Sequence, residues 1–172
     1  MPALYMFSLG GNAGRSNIEV HDIQFVVADS VEAAIPHLQA AWFGDADKLH
    51  LDGYQIINWV AGYDVVLQAE PARSGPQLFF VNVGGYADHT LAELHDFGLF
   101  VAADAADAKR QALATLLVGV AQQHKDNLKE VDNHLLLDAL QGYHIQLRPN
   151  PDGQALPIAW QGYRPIGRGA SA

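Results

Sequence analysis

The chain has 172 residues, of which 49% are hydrophobic and 17% charged, a composition typical of a globular protein rather than a disordered one. A net charge of −9 with only ten Lys and Arg residues argues against nucleic-acid or anionic-membrane binding, because such surfaces neutralise phosphates with basic side chains. The absence of Cys excludes disulfides, thiolate catalysis and Cys-ligated metal sites. Without a signal-peptide pattern or an apolar run of about 20 residues, we expect a cytoplasmic protein of bacterial type.

An internal repeat organises the sequence. Residues 4–28 align without a gap with residues 78–102, and nine of the 25 pairs are identical, where ordinary composition gives about two by chance. Self-similarity at a fixed spacing is typical of duplicated structural units. We therefore expect a first repeat over residues 1–69 and a second over residues 78–147, joined by a short linker that contains Pro and Gly.

The first two elements of each repeat are predicted to be strands. A short apolar run that ends in two glycines opens each copy, at residues 4–9 and 78–83, and such runs are typical of buried strands. After a loop, residues 19–28 and 93–102 alternate in polarity. That alternation predicts a second strand, with Glu and His at one end of its more apolar face.

A helix and two closing strands complete each predicted copy. Asp29 and Asp104 offer capping oxygens, each with an acid three residues later, and apolar residues then follow at helical spacing. The closing strands are predicted at residues 52–57, 61–67, 132–137 and 141–147. Each copy is therefore predicted to be a β-β-α-β-β unit.

These elements predict an α+β fold, formed by tandem duplication of the β-β-α-β-β unit with pseudo-two-fold symmetry. Its sheet is expected to be antiparallel or mixed, with the helices on one side. Two separate ferredoxin-like halves are the alternative. The tail, residues 148–172, is rich in Pro and Gly and is expected to pack on the repeats as an edge segment.

The repeated Glu-x-His-Asp motif is the clearest chemical signal. Glu19 with His21, and Glu93 with His95, share a strand face and lie close enough to share a proton or a metal ion. Two such pairs would offer the oxygen and nitrogen ligands that zinc, manganese or iron accept. These four residues are the catalytic and metal-binding candidates, and the alternative is an ion pair that fixes the strand start.

The segments that follow the first strands are candidate ligand-binding loops. Glycine exposes backbone N–H groups that can hold an anion, and each loop also carries a hydroxyl and a basic or imidazole side chain. The alternative is a tight turn, because no nucleotide-binding fingerprint is present. The candidate ligand-binding residues are Gly10, Gly11, Asn12, Arg15, Ser16, Gly84, Gly85, His89 and Thr90.

His50 and Asp52 are predicted to have structural roles. His50 has no repeated partner and is expected to be a surface residue or a satisfied one. Asp52, like Asp132, is expected to make a turn. Neither residue is predicted to belong to a site.

Both repeats resemble a small bacterial family classed as a domain of unknown function, which occurs as one or two copies per chain. The resemblance rests on residues 7–12 and 18–22 in the first repeat and on residues 80–86 and 93–96 in the second. It covers residues 3–147 and leaves the tail outside. It implies a duplicated architecture and a cytosolic setting, and it offers no activity, cofactor or catalytic residue to transfer.

Two main classes of function are compatible with these patterns. The first is a non-enzymatic module that binds a small molecule or assembles as a homo-oligomer. The second is a metal-assisted or acid–base enzyme that acts on a small anionic metabolite, with Arg15 as the anion clamp. A purely structural scaffold is the third interpretation, and analogy of fold cannot choose among them. The sequence leaves the cofactor and the ligand unidentified.

Overall fold

A computed structural model describes residues 1–71, 74–120, 129–137 and 139–169, with backbone only for residues 129–136 and 139. These residues form two helices and mostly antiparallel sheets, which confirms the α+β class. Neither helix in the described part of the chain has the length and apolar character needed to span a bilayer.

The same order of elements occurs in both halves of the chain. The first half contains β1 (Ala3–Gly11), β2 (Val20–Ala28), α1 (Val31–Ala41), β3 (His50–Ile56), β4 (Trp59–Val60) and β5 (Tyr63–Gln68). The second half contains β6 (Gln77–Gly85), β7 (Leu94–Ala102), α2 (Ala105–Thr115), β8 (Lys129–Leu136), β9 (Ala139–Leu140) and β10 (Tyr143–Pro149). A last strand, β11 (Trp160–Pro165), follows in the tail.

Each half has one more strand than the predicted β-β-α-β-β order. The additional strands are the two-residue strands β4 and β9, and a two-residue turn joins each of them to the last strand of its half. Ala61 and Gly62 both have positive φ, as do Gln141 and Gly142. Two successive residues in this region are typical of the tight turn that joins antiparallel strands. The prediction that Ala61 and Gln141 begin strands was therefore wrong, and the short strands β4 and β9 precede the turns.

The chain forms two compact units. The first contains Met1–Trp59, Leu140–Tyr143 and Asp152–Ala172, and the second contains Val60–Ala139 and His144–Pro151. In the first unit, β1 pairs antiparallel with β2 and β3, and β11 pairs with β3, which gives the strand order β11-β3-β1-β2. The tail strand β11 thus lies at the edge of this sheet.

The core of the first unit lies between its sheet and α1. Phe7 and Leu9 on β1, and Leu38 on α1, have no measurable exposure to solvent. They belong to a buried apolar cluster to which β2, β3 and the tail also contribute. Burial of this apolar surface is the main force that holds β1 between its neighbours.

Helix α1 begins one residue later than the sequence pattern predicted. Ser30 is its N-cap, and its hydroxyl accepts a hydrogen bond from the N–H of Ala33 at 3.1 Å. Asp29 was predicted to supply the capping oxygen. Instead, its carboxylate lies 3.3 Å from the N-terminal ammonium group. Ser30 is itself a strongly preferred N-cap residue, so the hydroxyl replaces the carboxylate in the same role.

In the second unit, β6 pairs with β7 and β8, and α2 packs on these strands. Asp104 caps α2 as predicted, since its carboxylate accepts a hydrogen bond from the N–H of Asp107 at 2.8 Å. A hydrogen bond donated by the N–H of Ala103 holds the pKa of the Asp107 carboxyl below its ordinary value. Strands β5 and β10, which close the two halves, pair with each other in this unit.

Candidate functional site

The strand register of the first unit places polar residues around Gly10. Gly10 on β1 lies opposite His21 on β2 and opposite His50 on β3. Residues that face each other on paired strands present their side chains to the same side of the sheet. His21 and His50 therefore flank Gly10 on the face opposite to helix α1.

A β-bulge adds Asp52 to this group. Ser8 lies opposite Gly53 and Leu9 lies opposite Leu51, so Asp52 is an extra residue with no partner on β1. A bulge redirects a side chain, and such irregularities are common beside functional sites. The prediction that Asp52 makes a turn was wrong, because the residue lies inside β3.

Gly10 is required by the close approach of these side chains. A Cβ atom at Gly10 would lie 2.5 Å from Nε2 of His50 and 2.9 Å from Oδ2 of Asp52. A Cβ at Gly11 would lie 2.8 Å from the Trp42 ring. Both glycines lie within β1 and neither has positive φ. The tight-turn interpretation was therefore wrong for this pair, and crowding is the reason for glycine.

His50 is the buried centre of the group, with 3% of its surface exposed. Its Nδ1 lies 3.2 Å from the carbonyl oxygen of Lys48. Its Nε2 lies 3.1 Å from Oε1 of Glu19 and 3.3 Å from Oδ1 of Asp52. Each ring nitrogen therefore faces oxygen atoms, and the imidazole is held between a backbone carbonyl and two carboxylates.

This geometry restricts where protons can lie. A carbonyl oxygen only accepts hydrogen bonds, so Nδ1 of His50 must carry a proton to bond to Lys48. At Nε2, a hydrogen bond requires a second proton on the ring or a proton on Glu19 or Asp52. Nε2 of His50 therefore faces two carboxylates, an arrangement that acid–base chemistry can use.

The predicted Glu19–His21 pair lies at the edge of the same group. Nε2 of His21 lies 3.8 Å from Oε2 of Glu19 and 3.6 Å from Oδ2 of Asp52, which are ion-pair distances rather than hydrogen bonds. The His21 side chain is 58% exposed. Oδ2 of Asp52 is buried and has no hydrogen-bond partner in the part of the chain that the structure describes. We call Glu19, His21, His50 and Asp52 the His50 cluster.

A pocket of about 400 Å³ opens beside the His50 cluster. Its lining includes Asn12, Glu19, Lys48, His50, Tyr163 and Pro165. The Tyr163 ring packs against the His50 ring, with 4.4 Å between their centroids. The tail strand β11 therefore supplies part of the wall, a role that the sequence pattern did not predict.

The other loop residues predicted to bind a ligand are engaged locally or exposed. The hydroxyl of Ser16 accepts a hydrogen bond from the N–H of Ala13 at 3.3 Å. The N–H of Gly14 donates to Oδ1 of Asp45 at 3.1 Å, so a carboxylate of the protein occupies this donor. Arg15 is exposed and does not line the pocket. Of the loop residues predicted in the first repeat, only Asn12 lines the pocket.

The second unit holds the corresponding motif in a different setting. Nε2 of His95 lies 3.7 Å from Oε2 of Glu93. Gly84 lies opposite His95 on β7 and opposite Glu130 on β8. Glu130 therefore takes the register position that His50 has in the first unit. A bulge also occurs in β8, between the partners of Asn82 and Val83. The two units therefore share this strand pairing, but the residue opposite the glycine is His50 in the first unit and Glu130 in the second.

The remaining candidates of the second repeat lie on β6 and in the loop that follows it. Gly85 is the last residue of β6. The N–H and the hydroxyl of Thr90 both donate to the carbonyl oxygen of Ala87, at 3.0 and 3.2 Å, and close a local turn. His89 is exposed. No described contact links these residues to a pocket.

Metal binding stays a prediction for Glu19, His21, Glu93 and His95. Among the residues whose side chains are described, no group of three or more His, Asp or Glu side chains is arranged to hold a metal ion. The short distances within the His50 cluster join imidazole nitrogens to carboxylate oxygens and are ion-pair contacts within the protein.

The comparisons with known proteins agree with this architecture. The chain is similar to the crystal structure of a protein Il1583 from Idiomarina loihiensis, with 31% sequence identity and a TM-score of 0.75, and the match covers 98% of this chain and 100% of that one. No curated protein matches the chain. The model of the family Domain of Unknown Function (DUF1543) matches residues 16–67 and 90–147, more than half of the sequence. The chain belongs to the DUF1543 family.

Proposed function

We propose that this protein binds a small molecule in the pocket of its first unit, where Glu19 and His50 contact the ligand. The observation that carries the proposal is the buried imidazole of His50, held between Lys48, Glu19 and Asp52 at the wall of a pocket. Ionisable groups gathered in a concave site are typical of binding and catalysis.

The energetic cost of the cluster supports a functional role. Burying the His50 imidazole, which is 3% exposed, costs free energy that a packed apolar residue would not. The packing of His50 also requires glycine at position 10 of β1, and glycine in the interior of a strand weakens it. An apolar side chain at position 50 would avoid this cost.

A binding screen tests the proposal. We expect small polar fragments, added to ¹⁵N-labelled protein, to shift the backbone amide signals of pocket residues such as Asn12 and His50. The Glu19→Gln variant keeps the shape of the side chain and removes its charge, so it should weaken binding about tenfold, as expected for the loss of a charge-assisted hydrogen bond. Glu70→Gln in the exposed linker is the matched control. Fragments that shift only amides outside the pocket, or that bind both variants equally, would contradict the proposal.

An acid–base enzyme is the second candidate, favoured by the approach of His50 Nε2 to the carboxylates of Glu19 and Asp52. His50 would hold or move a proton at Nε2, and the pocket would place a substrate within reach of Glu19. The prediction that distinguishes this arrangement is the tautomer. We expect histidine-selective ¹⁵N spectra to show a proton on Nδ1 of His50, because that atom faces the carbonyl of Lys48. A neutral ring protonated at Nε2 alone would exclude the geometry described.

We also make proposals about the origin, location and self-association of the chain. We propose that the chain arose by duplication of one unit, which the recurring element order and the matching bulges in β3 and β8 support. The pseudo-two-fold relation between the copies stays a prediction. Cytoplasmic location, a bacterial source and self-association are proposals that rest on composition and on the family resemblance.

A further inference from the structure

The charges at the pocket favour a ligand with a positive charge. Glu19 and Asp47 both line the pocket, and the ammonium group of Lys48 is already paired with Asp47 at 3.1 Å. Two imidazoles, His21 and His50, face the carboxylates of Glu19 and Asp52, and a neutral imidazole carries no charge. With both imidazoles neutral, the acidic groups exceed the basic ones, and the field in the pocket attracts a cation.

The residues that line the pocket provide few groups that could bind an anion. Arg15, which the sequence suggested as an anion clamp, does not line the pocket. The backbone N–H of Gly14 is taken by Asp45, and the Lys48 ammonium lies beside a carboxylate. An anionic ligand would thus meet Glu19 without a free positive partner among the lining residues.

Tyr163 gives the pocket an aromatic wall. Its ring contacts the His50 ring, yet 69% of the residue is exposed. Cations are attracted to the face of an aromatic ring, by about 0.5–1 kcal/mol at exposed sites. A carboxylate and an aromatic ring on one small cavity suit an ammonium group joined to a short carbon chain.

We infer that the ligand is a small organic cation, whose ammonium group lies between the Glu19 carboxylate and the Tyr163 ring. The inference rests on the proposed function and names the chemical class of ligand for the same pocket. A cavity of about 400 Å³ is large for a bare metal ion and is within the range of small-molecule sites. Tyr163 lies outside both segments that the family model matches, so this specificity depends on the tail of this chain.

Three probes with four carbon atoms each test the charge directly: butylammonium, 1-butanol and butyrate. Each is titrated into ¹⁵N-labelled full-length protein at low ionic strength and pH 8, where solvent-exposed imidazoles are neutral. We expect butylammonium to bind about tenfold more tightly than 1-butanol, which corresponds to about 1.4 kcal/mol, and butyrate to bind most weakly. The amide shifts should map to Leu49 and His50.

Two variants assign the effect to the proposed groups. Glu19→Gln should bring the affinities for butylammonium and 1-butanol to within about twofold, and Tyr163→Leu should weaken butylammonium about two- to fivefold, as a cation–π contact predicts. Glu70→Gln should leave the preference unchanged, and thermal unfolding checks that each variant is folded.

Each other outcome overturns the inference. Equal or tighter binding of 1-butanol or butyrate in the pocket would reject a cationic ligand and leave small-molecule binding intact. Failure of all three probes to shift pocket amides would reject the inference, and the fragment screen would then decide the proposed function separately. A parallel titration with zinc or manganese chloride distinguishes the source of positive charge, because micromolar, Glu19-dependent metal binding would assign the site to a metal ion instead.

Discussion

Gly10→Ala is expected to destabilise the first unit by about 1–3 kcal/mol and to abolish ligand binding in the pocket. The added Cβ would lie 2.5 Å from Nε2 of His50, so the imidazole must move. The ring cannot move freely, because it bonds to the Lys48 carbonyl and packs against Tyr163. Its displacement would break the contacts of Nε2 with both carboxylates. Urea unfolding and the titration with butylammonium measure the two effects.

Ser8→Ala is the matched control for this substitution. Ser8 lies two residues earlier on the same face of β1, and its replacement adds no volume. We expect a change within about 0.5 kcal/mol and unaltered binding. If Gly10→Ala were as stable as the unmodified protein and bound butylammonium equally well, the close packing of His50 over Gly10 would be refuted.

Phe7→Ala is expected to cause the largest loss of stability, about 3–5 kcal/mol. Phe7 has no measurable exposure, and its ring lies 5.4 Å from that of Tyr5 and 5.9 Å from that of Tyr54. The substitution leaves a cavity between the sheet and α1 and removes these aromatic contacts. Because proteins are typically stable by only about 5–15 kcal/mol, the variant should be close to unfolding at room temperature.

Tryptophan fluorescence during urea unfolding is the appropriate measurement, because all three Trp residues belong to the first unit: Trp42, Trp59 and Trp160. Phe43→Ala is the control. Phe43 is 62% exposed and packs beside Trp42, so its loss should cost less than about 1 kcal/mol. Similar unfolding midpoints for the two variants would show that Phe7 is not a centre of this core.

The sequence predicted most accurately the strands and the helix cap that depend on residues close together in the chain. The apolar runs that end in two glycines are strands, and the alternating segments after them are strands as well. The acid at Asp104 caps its helix, because a capping hydrogen bond spans only three residues. The closing segments were less accurate, since Ala61 and Gln141 adopt positive φ that these residue types rarely show.

The site predictions from the sequence concern residues that recur in both copies, and their roles stay predictions. Among them Glu19 lines the pocket, and His21 lies beside Glu19 without lining the pocket. His50 has no repeated partner that would mark it in the sequence, yet it is the buried centre of the cluster. One signal could have identified it: His50 and Asp52 show the same spacing of two residues as Glu19 and His21.

The sequence by itself determined the α+β class, the repeated order of its first elements and the local pairing of Glu19 with His21. These properties depend on alternation and capping, which act over a few residues. The tertiary structure decided that His50, Asp52 and Tyr163 join them. That result depends on the register between β1 and β3, on one bulge, and on the docking of the tail strand β11. Burial of the apolar faces of strands that are distant in sequence sets this register, and no short window of sequence contains both partners.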